Sequence, residues 1–508
     1  MIKNFKWLLF ASVAFVACNN DDEVLIDTTS SDGKALTAGS AVVTKYIALG
    51  DSYAAGFSDN ALFIEGQKGS YPNIIAQQFA LAGGGEFKTP FMADNIGGFA
   101  GVPVFGPRLF FNGVAPVPVP GTPSTSITAK LTGAFNNLGI PGAKSFHLVT
   151  AGYGSTAGNP YFARFASTAA TTVIADAVAQ TPTFFSLWIG GNDVLGYATS
   201  GGSGVNRTGN MNPATYASND ITDPTVFAGA YSAIVNAMTA NGAKGVVANL
   251  PYVTALPFFT TVPFNPLSAS VLGRGNVAVG NGTISAVNTQ LYGPLKAALT
   301  VFGAGDRVNL LSTTVSNPLL IVDESLPNLS AQLTAAFTPD LGLATATFYG
   351  QVFGQARQAT KDDFIVLTAQ SVIASAPAGV PAPLNVFGVT FPMQDIHVLT
   401  AAEFLEVKVA TDAYNATIKS VADAKGLAFV ELKVVTDRLA SGGIVYNGFT
   451  TTSTFVTGGM FSLDGVHPSP RGYAIIANLF TDAINVKYGS NFKNVNVGLY
   501  RILYPASL

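Results

Sequence analysis

At 508 residues the chain is long enough for one large decorated domain or for two to three ordinary ones. Only 11% of it is charged, against about 25% in ordinary soluble proteins, and its mean hydropathy is +0.36. A net charge of -3 with 26 Lys plus Arg argues against a nucleic-acid partner and favours a neutral or apolar one.

The N-terminus sets Lys3 and Lys6 before an apolar run from Trp7 to Ala17 that is too short to span a bilayer, so residues 1–17 read as an export signal. The run ends in Phe15-Val16-Ala17-Cys18, which resembles the lipobox of bacterial lipoproteins; cleavage there would leave Cys18 to carry a lipid anchor. Cys18 is the single cysteine, so the chain cannot form an internal disulfide. The following Asn19-Asn20-Asp21-Asp22-Glu23 resembles the surface-export signal of Bacteroidota lipoproteins, and residues 18–40 read as a flexible tether. The resemblance implies an exported lipoprotein of the outer membrane, displayed at the cell surface. After the signal no apolar run of about 18 residues recurs, and the regular alternating strands of a transmembrane barrel are missing.

Thr44 to Leu49 is apolar enough for an interior strand ending at Gly50, and Tyr71 to Phe79 has helical spacing. A strand end and turn are predicted at Phe135 to Gly142, a helical segment at Ser167 to Ala179, and a central strand at Phe184 to Ile189, terminated by Gly190-Gly191-Asn192-Asp193. A helix over Phe227 to Met238, a strand over Ala243 to Asn249, strands at 362–368 and 427–432, a helix near Ala401 to Lys425 and a closing helix over Gly472 to Tyr488 complete the pattern. Strands alternating with helices predict a three-layer α/β/α sandwich with a central parallel sheet, flavodoxin-like, carrying large loop-rich insertions. Insertions are predicted at about 80–130, 195–225 and 255–360, with a C-terminal extension at 491–508. Pro257 and Pro263 spoil Leu256 to Phe264 as a helix, yet the stretch holds Phe258, Phe259 and Phe264. It forms either a lid or wall of an apolar pocket or a satellite core.

Two short motifs at opposite ends carry the chemistry: Gly50-Asp51-Ser52 and Asp464-Gly465-Val466-His467-Pro468. A serine hydroxyl attacks a carbonyl only when a neighbouring imidazole takes its proton, and His467 is the candidate among three histidines. Asp464, three residues before it, can turn back to accept the other ring N–H. His147 and His397 read as hydrogen-bonded structural histidines, and Asp51 and Asp193 as carboxylates that hold their loops.

These motifs resemble those of the GDSL or SGNH hydrolase family over the pieces 45–195 and 362–490. The resemblance makes 41–490 a hydrolase domain with Ser52 as nucleophile, Asp464 and His467 as acid and base, and Gly142 and Asn192 as oxyanion donors. Gly142 lies in Asn137-Leu138-Gly139-Ile140-Pro141-Gly142, and Tyr53 stands where the motif usually has leucine, on the side facing the packing layer. The implied activity is hydrolysis of carboxylic esters through an acyl-enzyme; the low charge and the Phe content tilt it toward apolar acyl esters, as in lipases and lysophospholipases. A carbohydrate acetylesterase, an acyl transferase and a non-catalytic surface binding protein on the same fold are the alternatives. Gly83-Gly84-Gly85 lacks the lysine of a phosphate loop and no His/Cys cluster is present, so neither a cofactor nor a transition metal is implied.

Overall fold

The computed structural model describes residue 29 and residues 33–508; the signal segment, Cys18 and the acidic run after it lie outside the described residues. Five parallel strands form the central sheet: β1 (Tyr46–Gly50), β2 (Asn137–Gly139), β3 (Phe184–Trp188), β4 (Lys244–Ala248) and β5 (Ala428–Val430), in the order β2-β1-β3-β4-β5. Ile47, Ala48 and Leu49 of β1, Phe184, Phe185 and Leu187 of β3, and Val246 and Val247 of β4 are fully buried. Their near-continuous apolar runs suit a sheet covered on both faces. Gly50, at the end of β1, lies opposite both Gly139 and Trp188, so three strands finish in line. The strand order reverses between β1 and β3, and the crevice outside the carboxyl ends at such a switch point is where doubly wound sheets bind ligands.

The covering helices are α1 (Ser52–Ala55), α2 (Tyr71–Ala80), α3 (Val173–Val178), α4 (Asn192–Thr199), α5 (Pro224–Thr239), α6 (Ala401–Lys425) and α7 (Pro470–Tyr488). Helix α7 packs on α2, β4 and β5, while α6 packs on α5 and α4 and α5 on α3, giving the three-layer α/β/α sandwich. Local chemistry fixes their ends. Thr400 and Glu403 form a reciprocal capping box at the start of α6, and Gly426 ends it in the left-handed region. Ser469 caps α7 with Pro470 as its first residue, so the helix begins three residues after His467.

The insertions differ in what they do. In 80–130, a hairpin pairs 109–111 with 116–118, and Met92 and Phe99 form a small core with Ala55, Leu62 and Tyr161. In 255–360, Phe258 and Phe259 join the main core, whereas Ile284, Leu295, Leu333, Phe337 and Phe353 build a second core with helices over 277–287, 293–301, 330–341 and 343–353. The stretch Leu256 to Phe264 packs into the main core rather than a satellite one, and Leu256 also lines a small apolar pocket with Tyr53 and Trp188; the later part of the insertion builds the second core, which extends to Leu384, past the predicted boundary. The strand predicted at 362–368 is not part of the central sheet. Only Phe364–Ile365 pairs, antiparallel to Val398–Leu399, and the chain then turns into a 3-10 helix at 367–371. The end of the predicted tether is docked: Ser40 N–H donates to the Tyr488 carbonyl at 2.8 Å, and Thr37 N–H to Asn491 at 2.6 Å.

Candidate active site

Ser52 opens α1 directly after β1, because the Asp51 carboxylate accepts the Tyr53 N–H at 3.0 Å and Gly56, with φ +85°, ends the helix after one turn. The Ser52 side chain is thereby presented at the switch point. His467 reaches it from a loop 415 positions away: its Nε2 lies 2.8 Å from Ser52 Oγ, and its Nδ1 2.9 Å from Asp464 Oδ2. Asp464 Oδ1 accepts the backbone N–H groups of Val466 and His467, each at 2.8 Å, and Oδ2 accepts that of Asn60 at 3.0 Å. Burial alone would raise the Asp464 pKa, but the His467 charge and these hydrogen bonds outweigh it and hold the carboxyl at about 2. The relay therefore has a permanently ionised end at any ordinary pH.

The residues before α2 grip this loop at several points. Asp59 N–H donates to Ser462 Oγ at 3.0 Å, its carboxylate accepts the Leu463 N–H at 2.9 Å, and Ser58 Oγ donates to the Pro468 carbonyl at 3.2 Å. Asp59 and Asn60 both adopt positive φ, +51° and +66°, which aims the Asn60 N–H at Asp464. The turn's one signal in the sequence is the Asp-Asn pair, since both residue types tolerate the left-handed region. Tyr53 also exceeds its expected packing role: its ring lies 4.6 Å from that of Trp188, but its hydroxyl donates to the Val466 carbonyl at 3.0 Å.

Gly142 and Asn192 line the same cleft as Ser52 and His467. Gly142 has φ +79°, and a Cβ there would meet open space, so its backbone conformation, rather than crowding, calls for glycine. Gly139, by contrast, is packed so closely that a Cβ would lie 2.2 Å from the Ala55 nitrogen. Asn192 Nδ2 donates to the Ala143 carbonyl at 2.9 Å, which orients the amide and leaves its second N–H to give. Asp193 accepts the N–H and hydroxyl of Ser145, both at 2.8 Å, lacing the Gly142 loop to the start of α4. Burial raises its pKa, partly offset by Ser145 and Lys144, and burial likewise pushes Asp51 up to about 7. His147 and His397 stand away from the relay. The Nδ1 of each accepts a backbone N–H at 3.1 Å, from Lys144 and Gln394 respectively, and burial lowers the pKa of both.

The cleft holds about 280 Å³, bounded by Phe57, Ala61, Val104, Phe105, Tyr161 and Leu195. No Asp, Glu, Lys or Arg stands among the described residues lining it. The wall that includes Val104 and Phe105 comes from the 80–130 insertion, whereas the 255–360 insertion contributes no lining residue to this cleft. Among the described residues, no group of three or more His, Cys, Asp or Glu side chains could hold a metal ion, and no helix is long and apolar enough to cross a membrane. Comparison of the chain with protein-family models, curated proteins and solved structures finds no match.

Proposed function

We propose that this protein is a serine ester hydrolase of the GDSL or SGNH type that acts on neutral, apolar acyl esters. The observation that carries the reading is the unbroken relay Ser52–His467–Asp464, with spacings of 2.8 and 2.9 Å, ending on a buried ionised carboxylate. In the reaction, His467 Nε2 takes the Ser52 proton as Oγ bonds to the ester carbonyl carbon, and Asp464 stabilises the resulting imidazolium. The negative charge passes to the carbonyl oxygen, which the Ser52 and Gly142 N–H groups and the Asn192 amide receive. His467 then protonates the leaving alcohol as its bond to the carbon breaks. Water, deprotonated by the same imidazole, bonds to the acyl carbon; as the bond to Ser52 Oγ breaks and the acid is released, the imidazolium returns its proton to Oγ.

The apolar walls of the cleft favour acyl esters over acetylated sugars, which need polar partners for their hydroxyls. The signal-like segment and Cys18 support an enzyme exported and lipid-anchored at the bacterial surface. The test is hydrolysis of p-nitrophenyl esters by a soluble form beginning after residue 30, beside Ser52→Ala. Turnover that vanishes in S52A is the expected result. Turnover that survives in S52A, or no turnover of any ester, would overturn the reading.

A further inference from the structure

The cleft wall has two unlike parts, although Phe57 and Phe105 both pack on the same small core. In one, Phe57 packs on the His467 imidazole, with ring centroids 4.7 Å apart. In the other, Pro141 and Gly142 line the cleft together with Tyr161 and Phe105, the last residue of the turn at Pro103–Phe105. That second part is braced. The Asn159 side chain accepts the Tyr161 and Phe162 N–H groups at 2.9 and 3.0 Å and donates to the Pro141 carbonyl at 3.0 Å, fixing Tyr161 beside the Gly142 loop. The rings of Phe99, Phe105 and Tyr161 then pack mutually, with centroids 4.9 to 5.6 Å apart. Phe99 N–H donates to the Phe105 carbonyl at 2.9 Å, which closes the turn. Behind it, the fully buried Arg108 donates to the carbonyls of Asn95 at 2.8 Å and Pro505 at 2.7 Å, so the wall is tied to the C-terminal extension.

This asymmetry bears on the two halves of an ester. His467 must protonate the departing oxygen, so the alcohol lies on the Phe57 side, and the carbonyl oxygen points to Gly142 and Asn192. The acyl chain is left to run along the remaining wall. We propose that Phe105, backed by Tyr161 and with Val104 at the rim, is the acyl stop that restricts this enzyme to short and medium chains; the proposal rests on the ester-hydrolase reading. The space of about 280 Å³ is shared between the acyl and alcohol parts. Longer chains must displace Phe105 from its aromatic partners or pass Val104, which is 81% exposed, into solvent.

Two series of esters test it, one varying the acyl chain from C2 to C12 with p-nitrophenol, the other varying the alcohol at fixed butyrate. In Phe105→Ala the acyl optimum should move at least two carbons longer, and the ratio of kcat/KM for long over short chains should rise about ten-fold, as two more buried methylenes allow. Alcohol preference should not change. Val104→Trp, a substitution at an exposed position that spares the core, should shift the optimum to shorter chains, so the proposal does not depend on F105A folding. An acyl profile unchanged in both variants, or a shift in alcohol preference instead, overturns the acyl-stop assignment. Labelling of Ser52 by a fluorophosphonate separates the two failures: wild-type protein that labels and hydrolyses but whose variants keep the same acyl profile sinks the acyl stop alone. Wild-type protein that neither labels nor hydrolyses sinks the hydrolase reading and the acyl stop with it.

Discussion

Asp464 takes the imidazole Nδ1 and three backbone N–H groups on its two oxygens. Asp464→Asn preserves its size but puts a donor where an acceptor is needed, which forces the wrong tautomer on His467. The expected outcome is a fall in kcat of about 10³- to 10⁴-fold with an unchanged circular dichroism spectrum. On the proposed mechanism Asn192→Ala removes one oxyanion donor and should cost about 100-fold or more in kcat, measured on the best ester. Tyr53→Phe is subtler, because it deletes a single hydrogen bond to the loop that carries His467 while keeping the ring between Trp188 and the imidazole. A net worth of about 0.5–1.5 kcal/mol corresponds to a kcat loss of roughly two- to twelve-fold with KM unchanged. An equal rise in KM would instead place Tyr53 in substrate binding.

At the scale of elements, the second core is joined to the sandwich by an ion cluster. Arg357 pairs with Asp323 at 2.6 Å and with Asp363 at 2.7 Å, and Asp363 also accepts the N–H of Ala401 at the start of α6. Arg357→Ala would leave two buried carboxylates unpaired and should destabilise the protein by about 3–5 kcal/mol. Because residues 255–360 do not line the cleft, kcat should survive at temperatures where the variant is still folded; thermal melts and kinetics on the same sample check both halves. The same elements show what was legible in the sequence. Gly-Asp-Ser after an apolar strand and Asp-x-x-His before a proline are local signals, and the helix expected near 401–425 is found at Ala401–Lys425. The wall at 98–106 was not legible, since a Gly- and Pro-rich stretch has no period and its position depends on Tyr161, Arg108 and the chain's last residues. The 362–368 stretch looked like a central strand on β-propensity alone. Its place was decided instead by Asp363, which is held by Arg357.

Across the whole molecule the buried carboxyls set a dependence of stability on pH. Burial raises Asp51, Asp59 and Glu403 to about 7 and Asp395 to about 6. Unfolded carboxyls titrate near 4, so between about pH 4 and 7 the folded state binds more protons and stability falls as pH rises. Asp464, held at about 2, acts in the opposite direction and costs stability as pH drops below 4. Melting temperature should therefore peak near pH 4 to 5 and decline on both sides, with Asp59→Asn flattening the alkaline side; a flat curve from pH 5 to 8 would contradict this. The separation of 415 positions between Ser52 and His467 has a consequence of another kind. Contacts that join the extremities of a chain form late and slowly, after the intervening loops have closed. A ribosome-bound chain that has not yet emerged through His467 carries Ser52 without its imidazole partner, so on the proposed function ester hydrolysis would begin only once the closing helix has docked. During refolding from denaturant, recovery of activity should accordingly trail recovery of helical signal, and the lag between them times the union of the two ends.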